Sequence, residues 1–214
     1  MEQLTMMPSR IRIAAILRKA ILAGEFTQGE EIQLTEIANR LGVSRTPVRE
    51  AFQMLEADGL IELRMNKGAI VRGITSKFII DHYEMRMLLE GEAVYRATVR
   101  KMATHRIMQL NEQVLHELES GNISSCVEVN QIIHSEIWKA ADNEKLYKML
   151  LNIWNGPSIG KTTTSLSHHQ KSALEHKETI LCIMENEADR ARAAMTKHIE
   201  RSMRNILDSF AIGH

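Results

Sequence analysis

Apolar residues in the first third of the chain recur at helical spacing in three separate segments. This spacing appears in residues 13–21, 34–41 and 48–55. Each segment is followed by a glycine placed to end a helix, namely Gly24, Gly42 and Gly59. The pattern therefore predicts three short helices, of which the third carries Pro47 in its first turn, where a missing N–H costs nothing.

The period of the pattern changes after the third helix. Residues 60–64 alternate between apolar and polar side chains like a strand, and Asn66-Lys67-Gly68 indicates a turn. Residues 69–71 then return as a second strand. Three short helices followed by a small hairpin is the order of elements in a winged helix-turn-helix, and residues 72–76 would form a linker.

The remainder of the chain shows helical periodicity and almost no strand signal. The predicted helices cover residues 77–102, 104–120, 124–141, 143–154, 167–185 and 187–210. The polar stretch between 155 and 166 would be a loop or a shortened helix. We therefore predict a mainly α protein, with a winged helix-turn-helix over 1–73 and an all-α antiparallel helical bundle over 74–214.

Composition narrows the class of protein without naming it. Of the 214 residues, 44% are hydrophobic and 25% charged, a balance that can bury a sizeable core. There is no run of about eighteen apolar residues and no signal-peptide pattern, so we expect a cytoplasmic protein without a membrane partner. Two cysteines are too few for a disulfide framework.

Charge and histidine content divide the chain in two. The formal net charge of zero argues against a non-specific polyanion binder but permits sequence-specific DNA binding. All nine histidines lie at or beyond His82. A first third without histidine and a histidine-rich remainder suggest two modules with different work.

The third predicted helix presents a cationic, hydrogen-bonding face opposite its apolar one. Arg45, Arg49 and Gln53 form this face, and Ser44 and Thr46 can anchor phosphates at the helix start. Arginine is well suited to bidentate contact with guanine in the major groove. The alternative interpretation is a solvated polar face.

The predicted hairpin adds further candidates for DNA contact. Lys67 beside Gly68 at its tip could reach a neighbouring minor groove or the DNA backbone, with Arg64 behind it.

Three histidines fall on the apolar stripes of three different predicted helices. They are His134, His176 and His198. Burying one imidazole requires a hydrogen-bond partner, and burying three on facing stripes suggests a shared metal ion. Asn130 lies one turn before His134 and points the same way. The alternative is that each is a core histidine with an ordinary partner.

Other candidates are weaker. His168 and His169 lie in a polar stretch and are expected to be solvated, although His169 is close enough in sequence to act as a substitute ligand. Cys126 and Cys182 have apolar surroundings and are expected to be inert core thiols.

Two contiguous segments carry a family resemblance. Residues 41–51, LGVSRTPVREA, and residues 55–61, LEADGLI, resemble the signature of GntR-family bacterial transcription regulators, and the likeness covers about 10–73. Gln33-Leu34-Thr35 departs from the charged residues more usual at the start of the second helix. The resemblance implies DNA contacts by Arg45, Thr46, Arg49, Lys67 and Gly68.

The helical remainder resembles the FCD effector domain of FadR-type regulators, since residues 83–90 are similar to its first helix. Metal-binding FCD domains place an Asp-x-x-x-His pair on one helix and single histidines on two later ones. By this resemblance the metal ligands are Asn130, His134, His176 and His198, with Asn130 where the family usually has aspartate.

The asparagine changes the expected chemistry of this site. An amide oxygen is a weaker donor and brings no negative charge, so we expect weaker binding of a divalent metal such as zinc or nickel. We also expect a stronger preference for an anionic effector, with Arg86 as a second carboxylate contact or, alternatively, part of a surface ion pair.

These inferences together favour a homodimeric transcription regulator. The resemblance implies a repressor, because repression relieved by a ligand is usual in the family. Each subunit would read half of a short palindromic operator, under the control of a small organic acid. One alternative is a regulator for which the metal itself is the signal. A remote alternative is a metal-dependent hydrolase, although the chain has no His-Glu-x-x-His motif and no carboxylate obviously placed as a general base.

Overall fold

The computed structural model describes residues 9–22, 24–64, 68–73, 75–154 and 165–212. They form two compact units. The first comprises the described residues up to Phe78 and also Trp154, and the second comprises Ile79–Ile153 and residues 165–212.

The first unit contains three helices and a three-stranded antiparallel sheet. The helices are α1 (Ser9–Leu22), α2 (Leu34–Leu41) and α3 (Arg45–Ala57), and the strands are β1 (Glu31–Ile32), β2 (Ile61–Arg64) and β3 (Gly68–Val71). The strand order is β1-β3-β2, so β3 lies in the middle. This arrangement confirms the predicted winged helix-turn-helix and adds β1, which at two residues is too short to show an alternating pattern.

Helix α3 supplies much of the core of the first unit. The residues of its predicted apolar face are Val48, Ala51, Phe52 and Leu55, and all four are completely buried. They pack with residues of α1, α2 and the sheet in one hydrophobic cluster. Because this face is buried, the opposite face of α3 is left to the solvent.

Gly68 is required by the way β1 joins the sheet. Its φ is 95°, and a Cβ atom at this position would lie 2.1 Å from the carbonyl oxygen of Ile32. Ile32 pairs with Ala69, the next residue of β3, so this close approach follows from the register of the sheet. Gly68 therefore has a structural reason to be glycine, independent of any contact with DNA.

The second unit is built from helices. They are α4 (Ser76–Val99, which begins in the first unit), α5 (His105–Glu119), α6 (Cys126–Ala140), α7 (Glu144–Trp154), α8 (Leu166–Met184) and α9 (Ala188–Ile212). The predicted breaks at Asp142 and Asn186 are confirmed, since both residues have positive φ. None of the helices in the described part of the chain is both long and apolar enough to cross a membrane.

The packing of the second unit brings distant helices together. Helix α8 lies against α9, α5 and α6, and α5 also contacts α6. Helix α4 closely approaches α9, because a Cβ atom on Gly91 would meet the side chains of Thr196 and Arg192 at 3.2 and 3.3 Å. Polar side chains on the inner faces of α4, α6, α8 and α9 can therefore meet.

Candidate functional site

The three predicted histidines do meet in the interior of the second unit. His134 from α6, His176 from α8 and His198 from α9 are 0%, 3% and 4% exposed. One ring nitrogen from each lies within 4.8 Å of the others. The Nε2 atoms of His134 and His176 are 3.2 Å apart. Asn130 is half-buried one turn before His134, and its role as a ligand stays a prediction.

A buried carboxylate holds the first of these histidines. The Nδ1–H of His134 donates to Oε2 of Glu90 at 2.5 Å, and the indole N–H of Trp138 donates to the same oxygen at 3.1 Å. Arg86 donates to the other oxygen, Oε1, from Nε at 2.8 Å. Burial alone would raise the pKa of Glu90, but Arg86 and His134 lower it to about 2, so this carboxylate is ionised.

A second carboxylate holds another histidine in the same way. The Nδ1–H of His198 donates to Oε2 of Glu175 at 2.7 Å. Arg201 forms a bidentate pair with Glu175, from Nε to Oε1 at 2.6 Å and from a terminal nitrogen to Oε2 at 2.7 Å. Burial would raise the pKa of Glu175, but its hydrogen bonds from His198 and Arg201 lower it to about 2.

Desolvation keeps two of the imidazoles neutral. Burial lowers the pKa of His176 well below its usual value, and the neighbouring His198 and His134 lower it further. Burial also lowers the pKa of His198, to about 4, although its hydrogen bond to Glu175 opposes the change. Both histidines therefore present lone pairs near neutral pH, which is the state that binds a metal.

The donor set fits a divalent transition metal. In a neutral imidazole, a Nδ1–H bonded to a carboxylate leaves Nε2 as the lone-pair nitrogen, and the contacts of His134 and His198 with Glu90 and Glu175 select this tautomer. Two imidazole nitrogens bound tetrahedrally to one ion would lie about 3.3 Å apart. The observed Nε2–Nε2 separation of 3.2 Å between His134 and His176 is close to this value.

Arg86 lies inside the second unit, where it pairs with Glu90. Its side chain is 12% exposed and its guanidinium lies 5.2 Å from the centre of the Tyr83 ring. The alternative of a surface ion pair is therefore wrong in location but right about pairing. A role in effector binding stays a prediction, and it would require Arg86 to share its charge between Glu90 and a ligand.

The expectation that His168 and His169 are solvated is wrong for both. Each is partly buried on α8, and burial lowers the pKa of His168 to about 4, with Arg201 as the next cause. The Nδ1 of His168 accepts hydrogen bonds from Arg201 at 3.3 Å and Asn205 at 2.8 Å. His169 does not join the three-histidine group among the described residues. Cys126 and Cys182 are buried free thiols, as predicted.

The candidate DNA-reading face of α3 is open to solvent. Ser44, Arg45, Thr46, Arg49 and Gln53 are all exposed, on the side opposite the buried core. In the wing, Arg64 is also exposed, and its Nε lies 3.7 Å from Glu62. Lys67 lies outside the described residues. The arrangement can present a cationic surface to a groove of DNA without disturbing the core.

The comparisons with known proteins agree with both halves of this architecture. Residues 10–71 match the family described as bacterial regulatory proteins, gntR family, and residues 81–201 match the FCD domain. The chain belongs to the GntR family. The residues on the exposed face of α3 fall in the first matched segment, and the three histidines fall in the second.

Two relatives that this GntR-family chain matches over most of their length are named as transcriptional regulators. The Nta operon transcriptional regulator of Aminobacter aminovorans is 29% identical over 189 residues, which are 86% of this chain and 87% of that protein. The gluconate operon transcriptional repressor of Bacillus licheniformis is 24% identical over 205 residues, 94% of this chain and 81% of that protein. The protein is therefore a transcriptional regulator and not an enzyme.

A solved structure shows the same fold. Escherichia coli McbR/YncC superimposes with a TM-score of 0.73 over 96% of this chain and 100% of that chain, at 16% identity. FCD domains are known to bind metal, and this one has the three-histidine group of such a site.

The sequence did not reveal the carboxylates that hold the histidines. Glu90 and Glu175, and the Arg201 that pairs with Glu175, were missed because charged residues in helices are usually solvated. A signal did exist for Glu90, which lies on one face of α4 with the buried Tyr83, Val94 and Ala97. A carboxylate at such a position requires buried partners.

Proposed function

We propose that this GntR-family regulator is a repressor whose DNA binding is controlled by a small carboxylate bound at a metal in the helical domain. The domain boundary near residue 73 divides the two tasks, with DNA reading before it and effector binding after it. A regulator of this kind works in the cytoplasm and is associated with the nucleoid when bound to its operator.

The exposed face of α3 supports the DNA-reading half of the proposal. Arg45 and Arg49 would contact base edges in the major groove, while Ser44 and Thr46 would anchor phosphates. Arg64, Lys67 and Gly68 of the wing would contact the adjacent backbone or minor groove. A homodimer would place two such helices on the halves of a short palindrome.

The observation that carries the effector half is the charge around the three histidines. Two ionised carboxylates, Glu90 and Glu175, are each matched by a guanidinium, Arg86 and Arg201 respectively. These four charges cancel, and the proposed ligands would bring no charge of their own, because an imidazole binds a metal in its neutral form and the Asn130 amide is uncharged. A divalent ion would therefore add two uncompensated positive charges in a desolvated site, and an anionic ligand would neutralise them.

The names of the relatives are consistent with a carboxylate. One matched repressor is named for a gluconate operon, and gluconate is a hydroxycarboxylate. A carboxylate that also carries a hydroxyl group could bind the metal through both groups. Arg86, already close to His134 through Glu90, would provide a further contact for such an anion.

A second candidate function is that zinc or nickel alone is the signal. The convergence of His134, His176 and His198 on one point favours it, since three imidazoles can bind such an ion without help from an organic ligand. The two functions differ in what changes DNA affinity. A metal sensor responds to the ion alone, whereas an effector-controlled repressor holds its metal and responds to the acid.

The test combines elemental analysis of the purified protein with a thermal-shift screen of small carboxylic acids, gluconate among them, with and without a chelator. We expect near-stoichiometric zinc or nickel and acid stabilisation that the chelator abolishes. Stabilisation that is indifferent to chelator would overturn the metal-bound effector. The two functions are then separated with DNA duplexes that the protein selects from a random pool. Release of the bound duplex by metal alone would indicate the metal sensor.

A further inference from the structure

We propose that Glu90 and Glu175 are positioning residues of the metal site, each fixing one histidine so that its Nε2 faces the ion. This inference rests on the proposed metal site and adds residues outside the predicted ligand set. Neither carboxylate would touch the metal, because each already accepts a hydrogen bond from the Nδ1–H of its histidine.

Each carboxylate joins an arginine to a histidine, and we call each of these two Arg–Glu–His groups an arm. In the first arm, Arg86 pairs with Glu90 and Glu90 accepts from His134. In the second arm, Arg201 pairs with Glu175 and Glu175 accepts from His198. Each arginine holds its carboxylate in place, so the histidine that donates to this carboxylate has one tautomer and one ring orientation.

His176 differs from the other two histidines. Within the described part of the chain, the side chain of His176 forms its hydrogen bond through Nε2, to Nε2 of His134. No carboxylate holds its Nδ1 among these residues. The positioning of the site therefore depends on the two arms that hold His134 and His198.

The arms also differ from each other in burial. The side chain of Glu90 is fully buried and Trp138 gives it a third donor, whereas the Glu175 side chain is 18% exposed. Trp138 lies one turn after His134 on α6. The Glu90 arm is therefore the more rigid of the two, and the loss of its carboxylate charge should lower metal affinity more than the same loss at Glu175.

The proposal predicts a loss of metal affinity when either carboxylate becomes an amide. Glu90→Gln and Glu175→Gln keep an oxygen that can accept from Nδ1–H but remove the charge. In full-length protein, the zinc dissociation constant, measured by competition with a chelating dye, should rise about 10–100-fold, more for Glu90→Gln. The visible spectrum of the cobalt(II) form should change, which a purely structural substitution would not cause.

Matched controls lie on the same helices. Glu92→Gln on α4 changes a carboxylate that is 40% exposed and pairs with Arg96 and Arg192, and Glu178→Gln on α8 changes an exposed one. Both should leave zinc affinity and the cobalt spectrum unchanged. Thermal unfolding in chelator reports whether each variant folds, and Glu175→Gln decides the question if the fully buried Glu90→Gln does not fold.

The outcomes separate this inference from the function on which it rests. If His176→Ala loses zinc but both glutamine variants match their controls, the positioning role is wrong and the metal site stands. If the unmodified protein binds no zinc, or His176→Ala binds as well as it does, the metal site fails and the positioning role fails with it.

Discussion

The two candidate functional regions of this regulator differ in how their residues are arranged and in how exposed to solvent they are. Arg45, Thr46 and Arg49 follow one another on a single helix and are exposed. The histidines His134 and His198 come from helices far apart in sequence and are buried. A surface site can be read from one local pattern, whereas a buried site also needs partners that only packing supplies.

This difference has an energetic consequence. Exposed residues on α3 can change with little effect on stability, because they make few contacts within the folded protein. The buried residues around the histidines neutralise one another's charges, so removing one takes away a charge partner of another in a low-dielectric interior. Function and stability should therefore be separable in the first region and linked in the second.

The largest effect should come from breaking the buried arm at Glu90. Glu90→Ala leaves Arg86 buried without its carboxylate and removes the acceptor of His134 and Trp138. We expect a loss of about 3–5 kcal/mol in the free energy of unfolding, measured by urea denaturation in chelator. Glu92→Ala, at a position of α4 whose side chain is 40% exposed, should cost no more than about 1 kcal/mol. If both variants lost the same unfolding free energy, stability would not depend specifically on the buried residues around the histidines.

Gly68→Ala should have the next largest effect on stability. It tests the first region at a residue that has a structural role as well as a proposed contact with DNA. The new Cβ would meet the Ile32 carbonyl oxygen at a residue whose φ is 95°, so we expect a loss of about 2–3 kcal/mol in unfolding free energy. Gly59→Ala has positive φ but open space and should cost about 1–2 kcal/mol. A Gly68→Ala protein that is fully stable yet weak in DNA binding would show that the glycine serves DNA contact alone.

Arg49→Ala should weaken DNA binding by about 1–3 kcal/mol, roughly 10–100-fold in affinity, since it would remove the proposed contact with a base edge. Its unfolding free energy should stay within about 0.5 kcal/mol of the unmodified protein, because the side chain is exposed. Binding is measured on duplexes selected from a random pool at one fixed salt concentration. Arg106→Ala, at an exposed position of α5, is the control and should bind those duplexes normally.

Asn130→Asp should produce the smallest effect. An added carboxylate beside His134 would strengthen zinc binding about tenfold, or ~1.4 kcal/mol, by supplying negative charge to the ion. The same charge should reduce the stabilisation that small carboxylic acids provide in thermal-shift assays. An unchanged zinc dissociation constant would mean that Asn130 is not a ligand.

Much of the fold follows from the sequence because the signals are local. The stripe from Val48 to Leu55 predicts the buried face of α3, and the change of period after Gly59 predicts the hairpin. The helices of the second unit begin and end within a few residues of their predicted bounds. Strand β1 escaped prediction because its two residues form a strand only by pairing with β3.

The candidate site was predictable in part for the same reason. His134, His176 and His198 stood out because each interrupts an apolar helical stripe, and burial of all three agrees with that pattern. Glu90 and Glu175 did not stand out, because glutamate is common on solvated helical faces. Whether a carboxylate is solvated or buried against an imidazole depends on the helix opposite it.

The sequence by itself therefore determined the helices, their buried faces, the exposed cationic face of α3 and which histidines enter the interior, since each depends on spacing along one segment. Only the tertiary structure decided that Glu90 would meet His134, and that Gly68 would face the Ile32 carbonyl. Those contacts join residues tens of positions apart, and the packing of whole helices and the register of a sheet bring them within hydrogen-bonding or van der Waals distance.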